Sequence, residues 1–74
     1  MKSDRKAARD FVRSIKTKTE LDAYLNMLNL TDDEREIARM MFGNGWSRTR
    51  IAMETGYSEH QVKRKVCRIY DRMI

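Results

Sequence analysis

The 74-residue chain has no proline, three glycines, one cysteine and one histidine. Each scarcity excludes something. Without proline no helix is broken by a missing N–H donor, and with β-branched runs also absent the sequence favours an all-α fold. The glycines, Gly43, Gly45 and Gly56, fall where turns are expected. Cys67 stands alone, which rules out an internal disulfide, and His60 has no metal-ligand companions nearby, so no metal site is expected. No run approaches the roughly 18 apolar residues of a membrane span, and residues 1–16 lack the apolar centre of a signal peptide. A cytoplasmic protein without a membrane partner is therefore expected. There is no nucleophile–base pair and no phosphate loop, so the expectation is a protein that is not an enzyme and takes no cofactor.

Charge is present and segregated. The net charge is +5, but residues 1–19 sum to +5, residues 20–36 to −5 and residues 37–74 to +5. Basic ends around an acidic middle suit a protein that meets phosphate with one surface and turns its acids away. A wet, mixed surface is the alternative reading of the same numbers.

In chain order, Ser3 is a candidate cap for a first helix running to about Lys16, with Ala8, Phe11, Val12 and Ile15 on one face and Arg5, Arg9, Arg13 and Lys16 around the other sides. So small a core needs every apolar stripe, which favours packing of Phe11 and Ile15 on the domain over a dimer contact. The basic residues read more readily as a solvated face than as a nucleic-acid arm. Thr17 or Thr19 can cap a second helix through about Leu28, with Leu21, Tyr24, Leu25 and Leu28 as core material. Thr31 and Glu34 form a capping box for a third helix, and Asp32, Asp33 and Glu34 suit its positive end. Ile37, Ala38, Met41 and Phe42 point inward before the stop at Gly43, Asn44 and Gly45. Trp46 precedes the next cap as core or wedge, and Tyr57 is expected to be buried at a turn with its hydroxyl at the surface.

Residues 47–74 organise the rest. Ser47 caps a short helix over 48–55, Gly56 supplies a positive-φ turn, and Ser58 with Gln61 forms a capping box for a helix over 59–74. Val62, Val66, Ile69 and Met73 recur at four, three and four, which makes one inward stripe. The opposite side presents His60, Lys63, Arg64, Cys67 and Arg68. Two helices, a very short turn and a basic second helix make a helix-turn-helix.

Four local patterns carry a resemblance: Leu30-Thr31-Asp32-Asp33-Glu34-Arg35-Glu36, Arg50-Ile51-Ala52, Gly56-Tyr57-Ser58 and Gln61-Val62-Lys63, followed by the apolar tail through Ile69 and Met73. Residues 30–74 resemble the promoter-reading C-terminal domain of bacterial sigma factors and the related LuxR-type DNA-binding domain. Residues 1–29 would then be a helical extension of a single domain of about five helices. Lys65 stands where sigma-type helices usually bury an apolar residue, which turns the last helix toward the LuxR-like arrangement with Val66 inward. No upstream sigma region accompanies the match, so it implies a DNA reader and not a working sigma factor.

The expected function is sequence-specific binding of double-stranded DNA by a small transcriptional regulator, with the helix over 59–74 in the major groove and the preceding helix across the backbone. Ser58, Glu59, His60, Lys63, Arg64 and Cys67 occupy positions for base edges, Arg64 suiting guanine and Glu59 suiting cytosine. Ser47, Arg48, Thr49 and Arg68 suit phosphates. The alternative is a sigma-like module that docks on RNA polymerase or another transcription factor through residues 5–16. Pairing as a homodimer stays open, since two copies would double the contacts of one reading helix.

Overall fold

A computed structural model describes residues 2–73, with side chains from residue 5 onward. The order is α1 (Lys2–Arg13), α2 (Lys18–Asn26), α3 (Asp32–Ala38), which continues as a π-helical segment over Arg39–Gly43, then α4 (Arg48–Thr55) and α5 (Glu59–Met73). Among the described residues there is no strand, and the fold is an all-helical domain of five helices. Its radius of gyration, 11.5 Å, is close to the roughly 11 Å of a folded chain of this length.

The starts of the helices follow local chemistry. The Thr17 hydroxyl accepts the Glu20 N–H at 3.1 Å. Thr31 and Glu34 satisfy each other's backbone N–H groups reciprocally, at 3.3 and 3.0 Å. Ser47 accepts the Arg50 N–H at 3.2 Å, and Ser58 and Gln61 form a second reciprocal box at 3.1 and 3.0 Å. Each cap satisfies a donor that the first turn cannot pair within the helix.

The ends depart from expectation. The backbone of Ser3 lies inside α1, the side-chain cap expected there falling outside the described residues, and the helix stops at Arg13, short of Lys16. There the Ser14 hydroxyl donates to the Phe11 carbonyl and the Ile15 N–H reaches only back to Val12, a three-residue closure that tightens and ends the turn. Likewise α2 ends at Asn26, before Leu28, with Met27 and Leu28 bonded to Tyr24 and Leu25 and Asn29 at φ 55°. Gly43 is not in a turn: it closes the π segment, where a Cβ would sit 3.3 Å from Leu21 Cδ2, so its value is close approach between helices.

One core unites the described helices. Val12 of α1, Leu21 and Leu25 of α2, Leu30, Ile37 and Ala38 around α3, Ile51 and Ala52 of α4, and Val62, Val66 and Ile69 of α5 are all buried. Residues before position 30 thus supply part of the core itself. Met41, Phe42, Trp46, Tyr57 and Met73 are half-buried against it. Phe11 was expected inside and is instead 56% exposed, its ring meeting Tyr24 edge-on at 5.3 Å between centroids. Val12 fills the seat that α1 offers the core, and Phe11, its neighbour around the helix, is swung outward.

Two tests follow from the core and the turn. Ile69 is fully buried, so Ile69→Ala should cost about 2–5 kcal/mol. That is a large share of the roughly 4–11 kcal/mol a chain of this length has to lose, and it is read as a lower midpoint in urea denaturation. Gly56 stands at φ 81° with open space where a Cβ would go, so only backbone strain opposes substitution. Gly56→Ala should therefore cost about 1–2 kcal/mol while Gly56→Asn, which tolerates this conformation, costs less.

Candidate nucleic-acid interface

The linkage between α4 and α5 is built from short bonds. Gly56 donates to the Ala52 carbonyl at 2.9 Å from its left-handed position, and the Thr55 hydroxyl donates to the Ile51 carbonyl at 2.6 Å. The same hydroxyl accepts the Tyr57 N–H at 3.4 Å, after which Ser58 caps α5. Across this turn the Thr49 hydroxyl donates to Glu59 Oε1 at 2.9 Å, tying the first turn of α4 to the first turn of α5.

Rotation of α5 is set from two sides. Val62, Val66 and Ile69 are buried, and α5 packs chiefly against α3 and α4. Lys65, one position before Val66, reaches the Asp33 carboxylate on α3, and its ammonium also lies 5.3 Å from the centre of the Tyr57 ring. Val66 thus lies inside and Lys65 at the edge of the buried stripe, the orientation the sequence leads one to expect.

Nine of the ten expected site residues are exposed: Ser47, Arg48, Thr49, Ser58, Glu59, His60, Lys63, Arg64 and Arg68. They do not form one patch. Ser47, Arg48, Thr49, Glu59, His60 and Lys63 line a hollow of about 350 Å³ between the starts of α4 and α5. Arg64 and Arg68 lie with Gln61 and Lys65 along a shallower hollow of about 160 Å³. Ser58 lines neither, its hydroxyl being engaged as the cap. Glu59, expected to be free for a base, is already an acceptor for Thr49.

Cys67 differs more. It was placed among the outward residues, yet it is half-buried beneath α1, where Arg5 Nη1 stands 3.9 Å from its sulfur. It shares a third cavity, about 420 Å³, with Arg5, Arg9 and Arg13 of α1 and with Ser47, Arg48 and Lys63. The sequence favours a solvated face over a nucleic-acid arm for the three arginines of α1. Their spacing of four was the available signal, but only the seating of α1 beside α5 shows what that side meets.

The electrostatics divide in the same way. Among the described residues the ion pairs are Arg35–Asp32, Arg39–Asp22 and Lys65–Asp33, so three of the six acids of residues 20–36 are engaged by cations of the chain. Arg48, Lys63, Arg64 and Arg68 enter none of them. Arg50 stacks its guanidinium 4.4 Å from the centre of the Trp46 ring, which extends the basic surface around the start of α4. A separate hollow of about 400 Å³, between α2 and the π segment, is lined by mixed charges that include the Asp22–Arg39 pair and holds none of the expected site residues. Among the described residues no group of three or more His, Cys, Asp or Glu side chains is placed to hold a metal ion, and no helix is long and apolar enough to cross a membrane.

No family model, curated protein or solved structure matches this chain.

The pair that fixes α5 has a pH signature. The hydrogen bond from Lys65, with a second from the Thr31 hydroxyl, holds the Asp33 carboxyl at about 2, below its ordinary 3.8. A depressed carboxylate contributes stability that is present above its unfolded value and is lost as pH falls through the folded one. Wild-type melting temperature should therefore drop between about pH 4 and about pH 2, and Asp33→Asn should flatten part of that drop while lowering the plateau above it. Equal acid limbs in the two proteins would show that the pair does not act on stability.

Proposed function

We propose that this chain is a sequence-specific reader of double-stranded DNA, a small transcriptional regulator in which α4 and α5 act as a helix-turn-helix. In this reading α5 enters the major groove by its first two turns and α4 lies across the sugar-phosphate backbone. The observation that carries it is the hollow between the starts of α4 and α5, where six expected contact residues converge and whose two strong cations, Arg48 and Lys63, have no internal ion pair among the described residues. Cations left unpaired on an exposed ridge are the groups that release counterions from a phosphate backbone.

Roles divide by position. Arg48 at the start of α4, beside unpaired backbone N–H groups, suits a phosphate, while Arg64, exposed on α5, suits the O6 and N7 edge of guanine. Arg68, a turn further along, suits the backbone. The likeness of residues 30–74 to sigma-type and LuxR-type DNA-binding domains supports the same assignment. A second reading, a module docking on RNA polymerase or another transcription factor, draws on the exposed Phe11 ring on α1.

Two substitutions test the assignment in the intact chain. Arg64→Ala should lower affinity for the preferred duplex by about 1–3 kcal/mol and relax base preference at one position. Arg48→Ala should weaken preferred and random duplex alike and reduce the salt slope by about one unit, leaving preference intact. Both are measured by fluorescence anisotropy over a salt series, after circular dichroism has shown each variant folded. If neither changes DNA binding, the DNA reading fails.

A further inference from the structure

Arg5, Arg9 and Arg13 stand four residues apart on α1, so their side chains lie about 6 Å apart along one side of the helix. Like charges at this spacing repel and weaken the helix that carries them. None of the three has an ion-pair partner among the described residues. Arg5 rests its guanidinium 5.5 Å from the centre of the Tyr70 ring and 3.9 Å from Cys67 Sγ, both on α5. Arg9 Nε is shut off from solvent without a hydrogen-bond acceptor among the described residues. Together with Arg48 and Lys63 these arginines wall a cavity of about 420 Å³ that, among the described residues, no carboxylate lines.

We propose that this basin is the second half of the DNA interface, in which α1 clamps the phosphates of the strand flanking the groove that α5 enters. The inference rests on the DNA reading given above and extends it to a helix outside the two that make the turn. Continuity decides the occupant. Ser47, Arg48 and Lys63 line both this basin and the hollow at the start of α5, so a backbone whose phosphates meet Arg48 runs on between α1 and α5 without leaving a cationic wall. Guanidinium forks suit phosphate oxygens, and a polyanion relieves the repulsion along α1 as it binds. These contacts carry no base preference, so α1 adds affinity and register while α5 selects sequence.

The test uses the full chain with a preferred duplex selected from a random pool and with an unselected duplex. Arg5→Gln combined with Arg13→Gln changes two exposed side chains, so the domain should stay folded. The slope of log affinity against log salt should become shallower by about 1.8 units, and both duplexes should weaken alike. Lys16→Gln combined with Lys18→Gln removes the same charge away from the basin and should leave the slope unaltered. Arg9→Gln alone should reduce the slope by about 0.9. Cys67 gives an independent readout: saturating duplex should slow its alkylation by a maleimide several-fold, because the basin that holds it is covered. Unchanged slopes in the α1 variants, or unchanged Cys67 reactivity, overturn the clamp while DNA binding by the wild type still stands. Equal losses from the α1 pair and from Lys16 with Lys18 also overturn it, since net charge alone would then account for the effect. If the wild type has no salt-dependent affinity for either duplex, the DNA reading itself is overturned and the clamp falls with it.

Discussion

Everything on the exposed side of this domain depends on the burial of one stripe of α5. Val62 and Ile69 are wholly enclosed and Val66 nearly so, and in a chain this short their loss would remove a large part of the core. Burying them leaves a 3.6-residue helix no freedom of rotation, so the positions of Lys63, Arg64 and Arg68 in water follow from where the valines sit. Lys65 reinforces the choice. Standing at the edge of the stripe, it is held by Asp33 across 32 positions of chain, and any rotation of α5 large enough to move Arg64 would break that pair.

The parts legible in the sequence are those governed by neighbours three or four residues apart. Thr17, Thr31, Ser47 and Ser58 cap as expected because a capping bond joins a side chain to a backbone group one turn away. Gly56 is read from its turn, and the stripe of α5 from its spacing. What was not legible depends on how helices are seated against one another. Phe11 and Val12 are both apolar and adjacent, and only the line on which α1 crosses the π segment and α5 decides that Val12 is enclosed and Phe11 left outside. Cys67 had the spacing of an outward residue, yet α1 covers it. Gly43 looked like a turn because glycine near Asn44 and Gly45 usually is one, whereas its role is to let Leu21 approach.

The π segment shows how a local irregularity places the candidate site. Its widened turn sends the Asn44 N–H back to the Arg39 carbonyl and the Trp46 N–H back to Met40, so the chain leaves the helix over its own last turn and does not run straight on. Trp46 is thereby seated half-buried, with Arg50 stacked on its ring, and Ser47 begins α4 immediately afterwards. The start of α4, which supplies Arg48 and Thr49 to the hollow, is thus positioned by backbone bonds from the previous helix as well as by its packing on α5.

Charge and stability pull in different directions here. Asp22 and Asp32 lie in exposed pairs on α2 and α3 that contribute little to folding, while Asp33 holds Lys65. Arg5, Arg9, Arg13, Arg48, Lys63, Arg64 and Arg68 enter no ion pair among the described residues, and their mutual repulsion opposes the compact state. The apolar core must therefore carry the fold against a cost concentrated on one side. A polyanion on that side removes the cost only while it is bound, and whatever binds the folded chain more tightly than the unfolded one stabilises it. The electrostatic arrangement that opposes folding of the free domain is thus the same one that would couple its folding to a bound polyanion, as the proposed DNA reading requires.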